Sequence, residues 1–347
     1  MKGVKPDEEA NMDGATMDAP VVLSGYGPVG QQFAAYLAAR GGELADAYGV
    51  RLWTAAVRAS TAEIRLRPDE SVPDRVRWES SPPVAESLEA TGARVLVQAI
   101  PSSPALREYA AQEALVALDR GVHVVTATKV HLLSHWARLD AAARRTGAMI
   151  RISGATGAAL PGGDLARIGV RGLDCDAIRA CPNGTVTYVL DRLAEGSSLE
   201  EAVAEAQRRG IAEADPSADL TGSDSATKAR LLAALLWGWD PAVIQVEADA
   251  VDADTAAAAA AVSKAGRRLR AVASARREDP LRVRVRLEAT EAGDPLHALA
   301  GPEKAIVFGC RDAGDIVVSG GRSSPIGAAL SMVKDTIDVT ARRGGFR

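Results

Sequence analysis

Through the first 152 residues the apolar positions alternate between strand-length runs and helical spacing. Residues 20–24, PVVLS, make a short apolar run. Val29, Phe33, Tyr36 and Leu37 then recur on one helical face. A second strand-like run covers 50–57 and ends at Arg58, and a third covers 95–100 and stops at Pro101. The pattern predicts a helix around 104–120, a strand over 122–126, a helix over 131–146 and a strand over 148–152. Strands alternating with helices imply a mainly parallel sheet.

Beyond residue 152 the rhythm changes. A stretch rich in small residues covers 153–163, and helical spacing returns over 198–209 and 224–238 as a hairpin-like pair. Leu281, Val283, Val285 and Leu287 alternate with Arg282, Arg284 and Arg286, which predicts a half-buried strand with a solvated basic face. The alanine run at 256–261 reads as a packed helix whose apolar face continues through Val262, Leu269 and Val272. A last helix is expected over about 325–342.

The first strand and helix enclose Gly25, Gly27 and Gly30, the spacing G-x-G-x-x-G. The first glycine permits a tight turn, the second lets backbone approach a pyrophosphate, and the third lets the helix pack on the strand. Pro28 and Val29 open a helix whose free N–H groups favour an anion. In that context the motif predicts a Rossmann domain binding a dinucleotide. At the end of the second strand stand Arg58, Ser60 and Thr61 where an NAD-selective site would carry an acidic residue. A cation there suits a 2′-phosphate, so NADP is expected, with NAD possible. Ser102 and Ser103, after the third strand, are candidate nicotinamide-side contacts.

Composition narrows the field only slightly. The 347 residues suffice for about two domains. A net charge of −4 argues against a general nucleic-acid binder. No run of 18 apolar residues predicts a membrane span. Residues 1–18 are polar, without the apolar core of a signal peptide, and are expected to be a disordered tail; cytoplasm is the default compartment. Cys175, Cys181 and Cys310 show neither metal-ligand spacing nor the density of a disulfide framework. His131 and His135 in HLLSH lack the HExxH pattern and read as ordinary polar histidines, so no metal site is expected.

The densest polar signal is GIAEADPSADLTGSDSATK at 210–228. Asp224 and Lys228 lie four apart, on one face of a helix. By spacing alone such a pair is usually a surface ion pair. This segment resembles the signature of homoserine dehydrogenases. HVVTATK at 123–129, ATGAALP at 155–161, NGTVTYVL at 183–190 and SGGRSSPIGAALSMVKD at 319–335 resemble further pieces of that family in the same order. The resemblance implies hydride transfer between a nicotinamide and C4 of aspartate 4-semialdehyde or homoserine. It implies that Lys228 and Asp224 handle the reacting oxygen and its proton, with Lys129 as a second lysine beside nicotinamide and substrate. Glu213 and Asp219 would hold the amino group, and Gly184 and Thr185 would line the pocket. Gly320, Gly321 and Ser324 would approach the cofactor.

The implied architecture is α/β. A Rossmann domain over 19–152 and 319–347 is completed by a returning C-terminal helix, and an α+β substrate-binding and dimerisation domain covers 153–318. The partners implied are a small-molecule substrate and a second copy of the chain. No C-terminal regulatory domain is expected. The family turn commonly opens with a glutamate that helps a monovalent-cation site. Ser153 or Gly154 stands here, so no conventional sodium site is expected. Thr128 departs from the family's Asn, and Thr187, Gly321 and Arg322 depart as well. These changes leave open a different hydroxy-amino acid or aldehyde as substrate, or a nonenzymatic NADP-binding sensor. A covalent semialdehyde dehydrogenase would need Cys181 as nucleophile.

Overall fold

The computed structural model describes residues 16–321 and 323–341. Seven strands form the first sheet: β1 (Met17–Ser24), β2 (Val50–Arg58), β3 (Ala62–Arg65), β4 (Glu79–Ser80), β5 (Val95–Gln98), β6 (His123–Thr126) and β7 (Ile150–Arg151). Their order is β4-β3-β2-β1-β5-β6-β7. The five strands from β2 to β7 in that order run parallel, and β3 and β4 extend the edge antiparallel. Four helices connect them: α1 (Pro28–Tyr48), α2 (Val84–Thr91), α3 (Arg107–Asp119) and α4 (Leu132–Thr146).

Alternate strand residues serve two cores, as in a sheet covered on both faces. Val22, Leu96 and Val124 pack with Leu88, Ala114 and Leu139 of α2, α3 and α4. Val21, Leu23, Val97 and Val125 pack with Phe33 of α1 and Met332 of the chain's last helix.

The chain then passes through two short helical turns, α5 (Ser153–Thr156) and α6 (Gly162–Asp164), into β8 (Cys175–Cys181) and α7 (Gly184–Ala194). Next come α8 (Leu199–Arg208), α9 (Ser217–Leu220), α10 (Ser223–Trp237), β9 (Gln245–Ala248) and α11 (Thr255–Lys264). β10 (Arg268–Arg276), β11 (Asp279–Thr290), β12 (Ala305–Cys310), β13 (Gly314–Ser319) and α12 (Pro325–Thr340) complete it. The second sheet has order β13-β12-β8-β10-β11-β9. Ile178, Phe308, Val283 and Val285 on one face of it pack on Ala229 and Leu232 of α10. α12 returns to the first sheet, where Ala329, Met332 and Val333 join the core beside α1.

Four expectations need correction. The tail predicted over 1–18 lies outside the described residues as far as 15, but Met17 and Asp18 already pair with Val50 and Arg51 in β1. The alanine-run helix does not continue to Leu269 and Val272. Gly266, at φ +71°, turns the chain, and both residues lie in β10. The arginines of β11 are not simply solvated, because Arg282, Arg284 and Arg286 pair with Glu247, Asp249 and Asp279. Cys175 and Cys310, 135 residues apart, are joined by a disulfide because β8 and β12 are neighbours.

Candidate active site

In a parallel sheet the loops at the carboxyl ends of neighbouring strands crowd together, and ligands bind there. Here the loops after β1, β5 and β6 meet in that way. Ala99 N–H donates to Ser24 O at 2.8 Å, and Ala127 N–H to Gln98 O at 3.0 Å. Gly25 has φ +98°, and a Cβ on it would lie 2.5 Å from the Ala99 carbonyl carbon. A Cβ on Gly30 would lie 2.1 Å from Gly25 O. Gly27, by contrast, faces open space, with nothing within 4 Å of a Cβ. It is the N-cap of α1, Pro28 starts the helix, and no side chain caps the first turn. Val29 is half-buried against the core. A sealed turn, an open cradle and uncapped N–H groups fit a pyrophosphate.

Arg58 does not serve as expected. It is 3% exposed, and its guanidinium is consumed within the protein. It pairs with Glu63 at 2.5 Å and Glu113 at 3.4 Å, and donates to Pro82 O at 2.8 Å and to Ser87. Two buried carboxylates, Glu63 and Glu113, require it there, so it is not free to meet a 2′-phosphate. Ser60 lies exposed just beyond. Ser102 accepts from Lys129 N–H at 2.9 Å, tying the β5 loop to the β6 loop, and Ser103 begins the turn before α3.

Lys129 follows β6 at this edge. Asp224 and Lys228 come from the first turns of α10, 95 residues later. Lys129 Nζ lies 2.6 Å from Asp224 Oδ1, and Lys228 Nζ lies 2.6 Å from Asp224 Oδ2. Lys228 also donates to Pro182 O at 3.0 Å. Burial alone would raise the Asp224 carboxyl; the two lysines overcome it and hold the group well below the usual carboxylate range.

Asp219, in α9, sits on the other side of Asn183. Asn183 Nδ2 donates to Asp219 Oδ1 at 2.6 Å and to Asp224 Oδ2 at 3.0 Å, while its Oδ1 caps α7 by accepting from Val186 N–H at 3.1 Å. Burial pushes the Asp219 carboxyl upward, against the hydrogen bond from Asn183. Environments that drive two carboxyls apart are characteristic of acid–base sites.

Gly184 must be glycine: a Cβ would lie 2.3 Å from Pro302 O. Thr185 is buried and donates to Ile211 O at 3.1 Å. Glu213 is exposed on the link between α8 and α9, where its carbonyl accepts from Gln207. Gly321 backs onto Ala159 and Leu160, and Ser324 is committed to capping α12. Arg322 lies outside the described residues.

Sequence reasoning passed over Asn183, although it opens the NGT segment quoted for the resemblance. It also passed over Lys304, which is 1% exposed. A lone lysine among turn residues gives no sign that it is buried. Cys181 offers no nucleophile, since burial pushes its thiol up to about 12. His131 is also unlike an ordinary polar histidine: it is fully buried, and neither ring nitrogen has a partner among the described residues.

The family description "Homoserine dehydrogenase" matches residues 164–337, and "Homoserine dehydrogenase, NAD binding domain" matches residues 25–153. The chain is 28% identical over 284 residues to a homoserine dehydrogenase of Methanocaldococcus jannaschii, covering 82% of this chain and 81% of that one. It is 28% identical over 250 residues to an NAD(+)-dependent homoserine dehydrogenase of Pseudomonas canavaninivorans, covering 72% and 71%. In fold it is similar to a hyperthermophilic archaeal homoserine dehydrogenase solved with NADPH, with TM-score 0.76, 22% identity, and coverage of 93% of this chain and 98% of that one. With family models matching residues 25–153 and 164–337, the chain belongs to the homoserine dehydrogenase family.

Proposed function

We propose that this protein interconverts aspartate 4-semialdehyde and homoserine with NADP, NAD being possible in its place. One observation carries the reading: Lys129 and Lys228, from separate segments, converge on the same Asp224 carboxylate at the carboxyl edge of the parallel sheet. The nicotinamide supplies or takes the hydride when bound. The chain's own residues manage charge and proton. As the aldehyde oxygen gains negative charge, the Lys228 ammonium, held between Asp224 and Pro182 O, stabilises it and can deliver a proton. Asp224 stays ionised and fixes both lysines, and Asn183 fixes Asp224 against Asp219. We assign the substrate's amino group to Asp219, with Glu213 at the mouth, and the pocket wall to Gly184 and Thr185. Gly25, Gly27, Pro28, Val29 and Gly30 would hold the cofactor's pyrophosphate, with Ser60, Ser102, Ser103 and Gly321 as further contacts.

A panel of homoserine, aspartate semialdehyde and near analogues with both nicotinamides tests the substrate. Lys228→Ala and Asp224→Asn are each expected to lower kcat at least about a hundredfold with cofactor affinity unchanged. Loss of cofactor binding with turnover intact would reassign both residues. We further propose a cytoplasmic homodimer paired through the second sheet. Its edge strand β9 and the adjoining segments leave Val243, Val246 and Leu281 exposed.

A further inference from the structure

The turn over 153–160 connects the two sheets, and its α5 packs against α10, the helix that carries Asp224 and Lys228. The family resemblance places a monovalent cation at this turn, helped by a glutamate. Ser153 or Gly154 stands there, and Ser153 is already committed. Its N–H and hydroxyl donate to Asp335 at 2.9 and 2.8 Å, and Lys334 Nζ donates to Ser153 Oγ at 3.0 Å. The hydroxyl is neutral and engaged on both sides, and the carboxylates beside it, Asp164 and Asp335, are already paired with Lys334 Nζ.

Lys304 enters the same turn from just before β12. Its side chain is 1% exposed, and Nζ donates to Gly157 O at 2.8 Å. That carbonyl also accepts from Leu160 N–H at 3.1 Å, so ammonium and turn are locked together. The backbone of Lys304 holds the returning segment as well: its carbonyl accepts from Gly320 N–H at 3.0 Å, and Gly321 packs on Ala159 and Leu160. Burial, then the neighbouring Lys228, pull the Lys304 ammonium down to about 8, against Asp224, which pulls it up. It therefore keeps its proton at neutral pH and lies within electrostatic reach of both catalytic partners. Among the described residues the buried ammonium has one hydrogen-bond partner, the Gly157 carbonyl, a costly arrangement for a cation. A metal cation at this turn would have to compete with Lys304 Nζ for the Gly157 carbonyl.

We propose that Lys304 is a positioning residue whose ammonium acts as a built-in monovalent cation, holding the 153–160 turn against the Asp224–Lys228 cluster so that turnover needs no added sodium or potassium. This rests on the reading of the site given above. Wild-type enzyme is assayed and melted in choline chloride, then in sodium or potassium chloride at equal ionic strength. Equal turnover and melting temperatures within about 1 °C are expected. Activation by either metal, or a metal-specific rise above about 3 °C, overturns the proposal.

In Lys304→Ala, kcat is expected to fall about tenfold or more at unchanged cofactor affinity, and ethylammonium, but not choline, to restore part of it. Wild-type turnover in that variant, or an equal response to the two organic cations, counts against the proposal. If the variant does not fold, the wild-type metal comparison decides. A wild type inactive on both substrates in every buffer sinks the functional reading, while its melting curves still answer the cation question.

Discussion

Asn183 shows how much one side chain can organise. Its amide nitrogen serves two carboxylates and its amide oxygen caps a helix, so Asp219, Asp224 and α7 share one rigid anchor. His131 makes a contrasting case. Burial, then His135, lower it from 6.5 to about 4, and its ring has no hydrogen-bond partner among the described residues. The folded value lies below the unfolded one, so the unfolded chain takes up more protons in between. The stability from this residue is full above about 6.5 and is lost as pH falls towards 4, by up to about 3 kcal/mol. His131→Leu should flatten that acid limb in urea denaturation measured across pH. A wild-type limb unchanged by the substitution would place the acid sensitivity elsewhere.

At the scale of elements, periodicity made the parallel sheet legible. The runs at 20–24, 50–57 and 95–100 became β1, β2 and β5, because strands buried on both faces are continuously apolar. The second sheet was mostly hidden. β8 pairs with β10 and β12 over long separations, and the helical pattern over 255–264 runs on into β10, where Gly266 breaks it. Asp224 and Lys228 stood out only through the family resemblance, since their spacing alone reads as a surface ion pair. The site was misread at Arg58, since only the fold reveals that Glu63 and Glu113 claim the guanidinium. The glycine turn permits a direct test. Gly30→Ala should destabilise the protein by about 1–3 kcal/mol or more through its contact with Gly25 O. Gly27→Ala should melt like wild type yet bind cofactor more weakly, as read by nucleotide titration. Equal thermal stability of the two variants would remove the distinction.

In the whole molecule, both sheets contribute to one cluster: Lys129 follows a strand of the first, while Asp224 and Lys228 ride on the helix that packs against the second. α12 closes the arrangement by returning to α1, so the chain's last described helix belongs to the core of its first strands. The edge at β9 remains open within the single chain, and an open edge favours pairing with another copy. Sedimentation at assay concentration should give twice the chain mass, and Val246→Lys should shift it towards the monomer. A monomer in the unmodified protein would refute the dimer.

The inward-turned guanidinium at the end of β2 separates two tasks that many dinucleotide enzymes join. Arg58 is sealed in a charge cluster, so under the proposed reading discrimination between the phosphorylated and unphosphorylated ribose would fall to the exposed loop carrying Ser60. On that reading, substitutions in the loop should alter coenzyme preference while leaving the architecture intact.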